Sequence, residues 1–143
     1  MKIGELAKLT NCSVETIRFY EKTGLLPEAI RAASNYRDYQ PVHQERLRFI
    51  RNCRAFDMSH EEIRQLISLV DSHAESCHSV NEILDEHIQH IEDRISELNM
   101  LVEQLKDLRQ RCQHQQGVDE CQIVQGLANL TLLERADKHS HLG

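Results

Sequence analysis

The sequence predicts a mainly α-helical chain, with short helices at its amino end and one long helix after them. Three observations carry that prediction. Both prolines, Pro27 and Pro41, lie near the front, and no proline or glycine occurs from 42 to 116. All six aromatic residues lie at or before Phe56, which leaves the rest rich in Leu, Ile, Glu, Gln and Arg, residues that favour helix when their propensities are summed. Apolar residues at Leu84, Ile88, Ile91, Ile95, Leu98, Val102 and Leu105 recur in steps of four and three, the signature of a coiled-coil seam.

In chain order, Ile3 to Leu9 reads as a first helix with Ile3, Leu6 and Ala7 on one face, followed by a turn at Thr10-Asn11-Cys12. Ser13 then caps a second helix to about Glu21, and helix, tight turn, helix within some twenty residues is helix-turn-helix spacing. After Gly24 and Pro27, the stretch from Arg31 to Tyr39 has the turn residues and tyrosines of a small β-hairpin or wing. Pro41 suits the first position of a third helix running to about Phe56.

Ser59-His60-Glu61-Glu62 and Ser79-Val80-Asn81-Glu82 both fit the capping box, in which a serine and a glutamate three residues later satisfy exposed amides, so helix starts are expected near 59 and 79. The seam from the second start is about four heptads long and continues through Leu108 and Cys112 on a slightly shifted stripe. Such a helix spans roughly 45 to 50 Å. Too little chain follows to cover its seam, so it requires a partner helix from another copy.

The formal charge of −6 hides an asymmetry. Residues 1 to 54 carry ten Lys or Arg against six Asp or Glu, whereas residues 71 to 143 carry six against fourteen. One half suits an anionic partner and the other a cation. No window approaches the roughly 18 apolar residues of a membrane span, and the first fifteen residues lack the apolar core of a signal peptide. A cytoplasmic protein with no membrane partner is expected. Its five cysteines, at 12, 53, 77, 112 and 121, are expected to be reduced thiols rather than a disulfide framework.

On the second helix Val14, Ile17 and Phe19 are expected to face the core, leaving Glu15, Thr16, Arg18 and Tyr20 outward, while Arg31, Tyr36, Arg37 and Tyr39 form a second cluster. Guanidinium and phenol groups are natural donors to phosphate oxygens. Composition alone favours this no more than an ordinary basic surface with two core tyrosines.

The residues themselves resemble a family. IGELAKLTNCSVETIRFYEKTGLL, then NYRDY, then VHQERLRFIRNCRAFDMSHEEIRQL are similar to the MerR family of winged-helix transcription regulators across the first seventy residues. The resemblance implies a symmetric homodimer whose wings and recognition helices grip double-stranded promoter DNA, with the long helices pairing antiparallel. Carried over by position, it makes Glu15, Thr16, Arg18, Tyr20, Tyr36 and Arg37 the expected DNA contacts. The expected organisation is a winged helix-turn-helix domain over 1–70, a linker over 71–78, a dimerisation helix over 79–112, a metal-binding loop and short helix over 112–130, and a flexible tail over 131–143.

Cys12, in the helix turn, and Cys53, in an apolar stretch, read as structural. Cys77, Cys112 and Cys121 fall at or beyond the ends of the long helix, near acidic and histidine residues, and clustered thiolates suit soft or borderline cations. A continuous helix holds Cys77 and Cys112 about 50 Å apart, whereas thiolates sharing an ion sit about 2.3 Å from it. One chain therefore cannot close the site. In an antiparallel pair Cys77 of one subunit can join Cys112 and Cys121 of the other, since CQHQQGVDEC contains Gly117 and polar residues suited to a loop.

The resemblance agrees. A cysteine before the dimer helix and two flanking a loop after it is the pattern of the divalent-ion sensors, whereas copper-sensing relatives typically have serine where Cys77 stands. CHSVNEILDEHIQHIEDRI is closest to the cadmium- and lead-responsive branch, often called CadR or PbrR. The effector implied is a soft divalent ion, cadmium, lead or zinc, with His114 or water as an additional ligand for cadmium or zinc. As in relatives, the ion-bound dimer is expected to activate heavy-metal resistance or efflux genes by distorting the promoter for RNA polymerase.

His87 and His90, three residues apart on one helical face with Glu86 adjacent, are a candidate second metal site, with His139 and His141 on the tail. A redox or other thiol sensor of the same fold is the alternative, although an iron-sulfur centre would need a tight four-cysteine cluster. A thiol enzyme built on Cys112 and His114 lacks evident oxyanion donors or an orienting third group, so the chain is read as no enzyme.

Overall fold

A computed structural model describes residues 1–112 and 117–129. The chain divides into two units, Met1–Leu84 and the residues from Asp85 onward. In the first unit, α1 (Ile3–Thr10) buries Leu6 and ends at Asn11, whose φ of 52° is the left-handed stop that asparagine tolerates. Ser13 then opens α2 (Val14–Lys22) by accepting the Thr16 amide at 3.0 Å. Gly24, at φ 81°, turns the chain back so that the Leu25 amide reaches the Tyr20 carbonyl at 3.0 Å, and Leu25 and Leu26 enter the core.

The wing is a short antiparallel hairpin, β1 (Ile30–Arg31) with β2 (Arg37–Asp38), pairing Ile30 with Asp38 and Arg31 with Arg37. It is tied to the start of the chain: the Tyr39 amide donates to the Met1 carbonyl at 2.8 Å, and the Met1 ammonium meets Asp38 Oδ1 at 2.7 Å. The expected third helix is α3 (Pro41–Ala55), with Pro41 in its first turn and a reciprocal cap between Gln40 and His43.

The expected box at Ser59 is present in α4 (His60–Asp71). The Glu62 amide donates to Ser59 Oγ at 3.1 Å, and Glu62 Oε1 accepts from the Ser59 amide at 2.9 Å. Ser59→Ala is expected to cost about 1 kcal/mol of stability, read as a lower unfolding midpoint. An unchanged midpoint would show the box to be idle.

The second expected box is corrected. The long helix α5 (His78–Gln110) begins one residue earlier, because Ser76 Oγ accepts from the His78 amide at 3.0 Å and the Cys77 carbonyl takes the Asn81 amide at 2.9 Å. Glu82 is drawn to His78, 2.8 Å away, instead of returning to Ser79. The first unit also runs past the expected boundary at 70, to Leu84, because Val80 and Ile83 on the opening turns of α5 pack against its core.

That core joins all four short helices and the wing through Leu6, Ile17, Leu25, Leu26, Tyr39, Leu47, Ile50 and Ile63, each essentially inaccessible. Leu47→Ala is expected to cost about 2 to 5 kcal/mol, a large share of the 5 to 15 kcal/mol that holds such a domain folded. Thermal unfolding checks this, and a loss under about 1 kcal/mol would mean the site collapses around the gap.

In the second unit α5 continues to Gln110, followed by a single 3-10 turn at Val118–Glu120 and by α6 (Gln122–Asn129). The predicted seam is a stripe of exposed apolar side chains, with Ile88 52%, Ile95 51% and Leu105 61% accessible. A stripe that regular is unfavourable in water unless covered. No helix among the described residues is long and apolar enough to cross a membrane. The expected tail at 131–143, with His139 and His141, lies outside the described residues, as does His114.

Candidate nucleic-acid interface and thiol site

The face of α2 differs from the expected one by one position. Ile17 and Tyr20 are buried and Phe19 is exposed, so Tyr20, 7% accessible, belongs to the core rather than to the outward set. The reason lies on α4, where the His60 ring packs 5.9 Å from Tyr20, edge to face, and 5.4 Å from Phe19. Glu15 and Arg18 face outward as expected. Thr16 is half-buried and its hydroxyl is 2.7 Å from that of Ser13, so it also serves the helix cap.

On the wing, Tyr36 is 68% accessible and Arg37 is exposed, while Tyr39 is buried. Burial, together with a hydrogen bond from its hydroxyl to Glu21, pushes the Tyr39 phenol up to about 12. Glu21 also stands 3.9 Å from the Arg37 guanidinium, which links α2 to the hairpin. Lys2 Nζ sits 5.8 Å from the Tyr36 ring centroid, adding a further cation to this side. Arg18, Arg31, Arg37 and Lys2 thus present exposed donors suited to phosphate oxygens.

Sequence reasoning missed Glu21 and Lys2 because their partners lie on the distant hairpin. It also missed two arginines that cap this domain's helices from elsewhere: Arg51 of α3 donates to the Thr10 carbonyl at 2.7 Å, and Arg64 of α4 to the Thr23 carbonyl at 3.0 Å. Burial first, then the charges of Arg54 and Arg64, lower the His60 pKa below 6.5. The unfolded chain therefore binds a proton that the folded one refuses, so the stability contribution is full above 6.5 and declines as pH falls below it. Melts between pH 7 and pH 5 should show that slope and His60→Gln should flatten it. A slope that survives the substitution would assign it to other groups.

The five cysteines differ in their surroundings. Cys12 is half-buried with its thiol 3.6 Å from the Thr10 carbonyl, and Cys53 is buried, its thiol pushed up by desolvation. Cys77 is exposed, immediately before α5. Cys112 follows the last turn of α5, where Arg109 Nη1 donates to its carbonyl at 3.1 Å, and Cys121 precedes α6, where its carbonyl accepts the Gln125 amide at 3.1 Å.

The Cys112 and Cys121 thiols lie near enough to perturb each other's titration, Cys112 upward and Cys121 downward. The neighbouring Cys121 is the first cause raising the Cys112 thiol, ahead of desolvation. Cys121 is lowered first by the Val124 amide at the start of α6, then by Cys112, with a smaller contribution from the Ile123 amide. Gly126 permits this closeness. A Cβ there would lie 2.8 Å from Arg111 Nη1 and 3.1 Å from Leu108 Cδ2, so α6 rests directly on the end of α5.

Two neighbouring thiols are donors of the kind that soft or borderline cations take. His87 and His90 lie on successive turns of α5, the first buried and the second half-buried, with ligand nitrogens within 4.8 Å of each other.

Comparison with known proteins places these features among regulators. The family described as "MerR HTH family regulatory protein" matches residues 1–69, and that described as "MerR, DNA binding" matches residues 44–108. A relative from Haemophilus influenzae named "HTH-type transcriptional regulator ZntR homolog" is 44% identical over 111 residues, 78% of this chain and 82% of its own. A second from that organism, a "probable heavy metal-dependent transcriptional regulator", is 39% identical over 127 residues, 89% of this chain and 98% of its own. Among solved structures, the transcription regulator PbrR691 from Ralstonia metallidurans in complex with lead(II) superposes with a TM-score of 0.81 at 46% identity, covering 89% of this chain and 98% of that one.

Proposed function

The chain belongs to the MerR family of helix-turn-helix transcriptional regulators, and from that premise we propose that it is a metal-responsive activator of heavy-metal resistance or efflux genes, working as a homodimer on promoter DNA. The α5 helices pair antiparallel through the exposed seam. Each effector site takes Cys112 and Cys121 from one subunit and the partner's Cys77. The observation that carries this reading is the proximity of Cys112 and Cys121 beyond one end of a 33-residue helix, with an exposed Cys77 at the other. The heavy-metal name of one relative and the lead(II) bound to another support it.

The effector is a soft divalent ion, cadmium, lead or zinc: three thiolates suit the pyramidal preference of lead, and cadmium or zinc adds a fourth ligand. In operation, Thr16, Arg18, Tyr36 and Arg37 donate to phosphates, while Glu15, an acceptor only, faces a base-edge donor from the same helix, and the ion ties the end of α5 to the start of α6. The dimer then strains the promoter spacer into a form RNA polymerase can use, which is readout through DNA deformation rather than through new base contacts. Transcription from a cognate promoter, followed against a panel of ions, tests this. Induction by cadmium, lead or zinc is expected, and no induction by any of them would remove the reading.

Because thiols must lose protons to coordinate, ion affinity should fall as pH is lowered, measured by competition with a chelator of known affinity. Operator affinity should fall steeply and log-linearly with salt, through counterion release at the basic face. A flat salt dependence would contradict phosphate-dominated binding. A second ion site at His87 and His90 is favoured by the proximity of their nitrogens. It predicts an additional ion per subunit that the double alanine variant loses.

A further inference from the structure

The last carbonyls of a helix need donors, and in α2 the chain itself supplies most of them. The Thr23 amide turns back to Phe19, that of Gly24 to Glu21, and those of Leu25 and Leu26 to Tyr20. The Thr23 carbonyl, at the C-cap, instead takes the Arg64 guanidinium from α4, 41 residues further on and 3.0 Å away. A cation at a helix carboxyl end is favoured by the helix dipole as well as by the hydrogen bond. One turn before Arg64, Glu61 stands 3.6 Å from it and holds the guanidinium, and His60 of the same helix packs on Phe19 and Tyr20.

The helix α1 is capped in a parallel way by Arg51, but from α3, which lies within the core. The two caps differ in what they attach to. The helix carrying Arg64 is followed after six residues, 72–77, by α5, whose opening residues Val80 and Ile83 pack on the same core and whose far end precedes Cys112. Arg64 is also 42% accessible, so its contact is peripheral to folding.

We infer that Arg64 is a positioning residue for the response to metal: it locks the carboxyl end of the recognition helix to α4, so that a displacement of α4 driven from α5 re-aims α2 on the DNA. The inference rests on the metal-responsive reading above and adds to it the joint through which the signal reaches the recognition helix. Coupling of this kind needs an element that both sites bias, and α4 is placed to be that element.

The test uses the full-length dimer and compares Arg64→Ala, Arg64→Lys and Arg51→Ala with the native protein. Four quantities are read: operator affinity without ion, operator affinity with cadmium, cadmium affinity, and the cadmium-induced change in fluorescence of a base analogue in the promoter spacer. Arg64→Ala is expected to keep operator affinity within about fivefold, as for an exposed charged contact, and to keep cadmium affinity. It should lose about tenfold in the ratio of cadmium-bound to cadmium-free promoter distortion, the size of a typical coupling between sites.

Arg64→Lys, which still donates to a carbonyl, should restore most of that ratio, and Arg51→Ala should lower operator affinity equally with and without cadmium while leaving the ratio intact. A native ratio in Arg64→Ala, or an equal loss in Arg51→Ala, overturns the inference. If the native protein itself shows no cadmium-, lead- or zinc-dependent change, it is the metal-responsive reading that fails.

Discussion

A Cys121→Ser dimer is expected to hold its operator as tightly as the native protein and to be unresponsive to the ion. The substituted position lies beyond α5, remote in sequence from the basic face on α2 and the wing, so DNA affinity has no reason to change. Ion affinity should drop by at least about 100-fold, beyond the 10- to 100-fold typical of losing only an outer hydrogen-bond partner of a metal ligand. Cys112→Ser should behave the same way, because the proposed site takes both neighbouring thiols for one cation. Cys53→Ser supplies the comparison, since Cys53 is buried in the first unit and should leave ion affinity unchanged. Titration against a metal indicator measures all three, and native affinity in Cys121→Ser would remove the loop from the sensing site.

The second large effect concerns the seam. Ile95 lies at the centre of the exposed stripe, and Ile95→Glu would place two carboxylates, one from each subunit, in a desolvated interface. The dimer should dissociate at micromolar concentration in sedimentation equilibrium. Operator affinity should fall by about 100-fold or more, because two half-site contacts no longer act as one linked event. Met100→Glu is the control, an exposed apolar residue off the heptad stripe, and should leave the dimer intact. If Ile95→Glu remains dimeric, the seam is not the subunit interface.

Much of the fold was legible because it is written in local signals. The proline at 41, the Ser59 box and the heptad stripe each act within a turn or two, and α3, α4 and α5 start within a residue of the expected positions. Where local signals compete, the reading slipped. Ser79 matched a capping box as well as Ser59 did, but Ser76 lies nearer the first free amide and His78 captures Glu82. The assignment of Tyr20 to the outward face failed for a tertiary reason, since Phe19 and Tyr20 are adjacent aromatics and only the position of His60 on α4 decides which turns inward.

The candidate site shows the same division. Placing three cysteines at the ends of one long helix needs only sequence and a rise per residue. The effect of the α6 amides on the Cys121 thiol and the close approach at Gly126 depend on how α6 packs on the end of α5, which spacing does not encode. Arg51 and Arg64 were illegible for a related reason: their acceptors are carbonyls, and every residue has one, so no side-chain pattern marks the pairing.

The most direct test of the shared cation site is the ion stoichiometry of a mixed dimer, one subunit carrying Cys77→Ser and the other Cys112→Ser, purified with two different tags. If sites are built across the antiparallel pair, one site keeps all three thiols and the other loses two, so the mixed dimer binds a single ion at native affinity. If each chain closes its own site, both are damaged and no ion binds at native affinity, which would contradict the account.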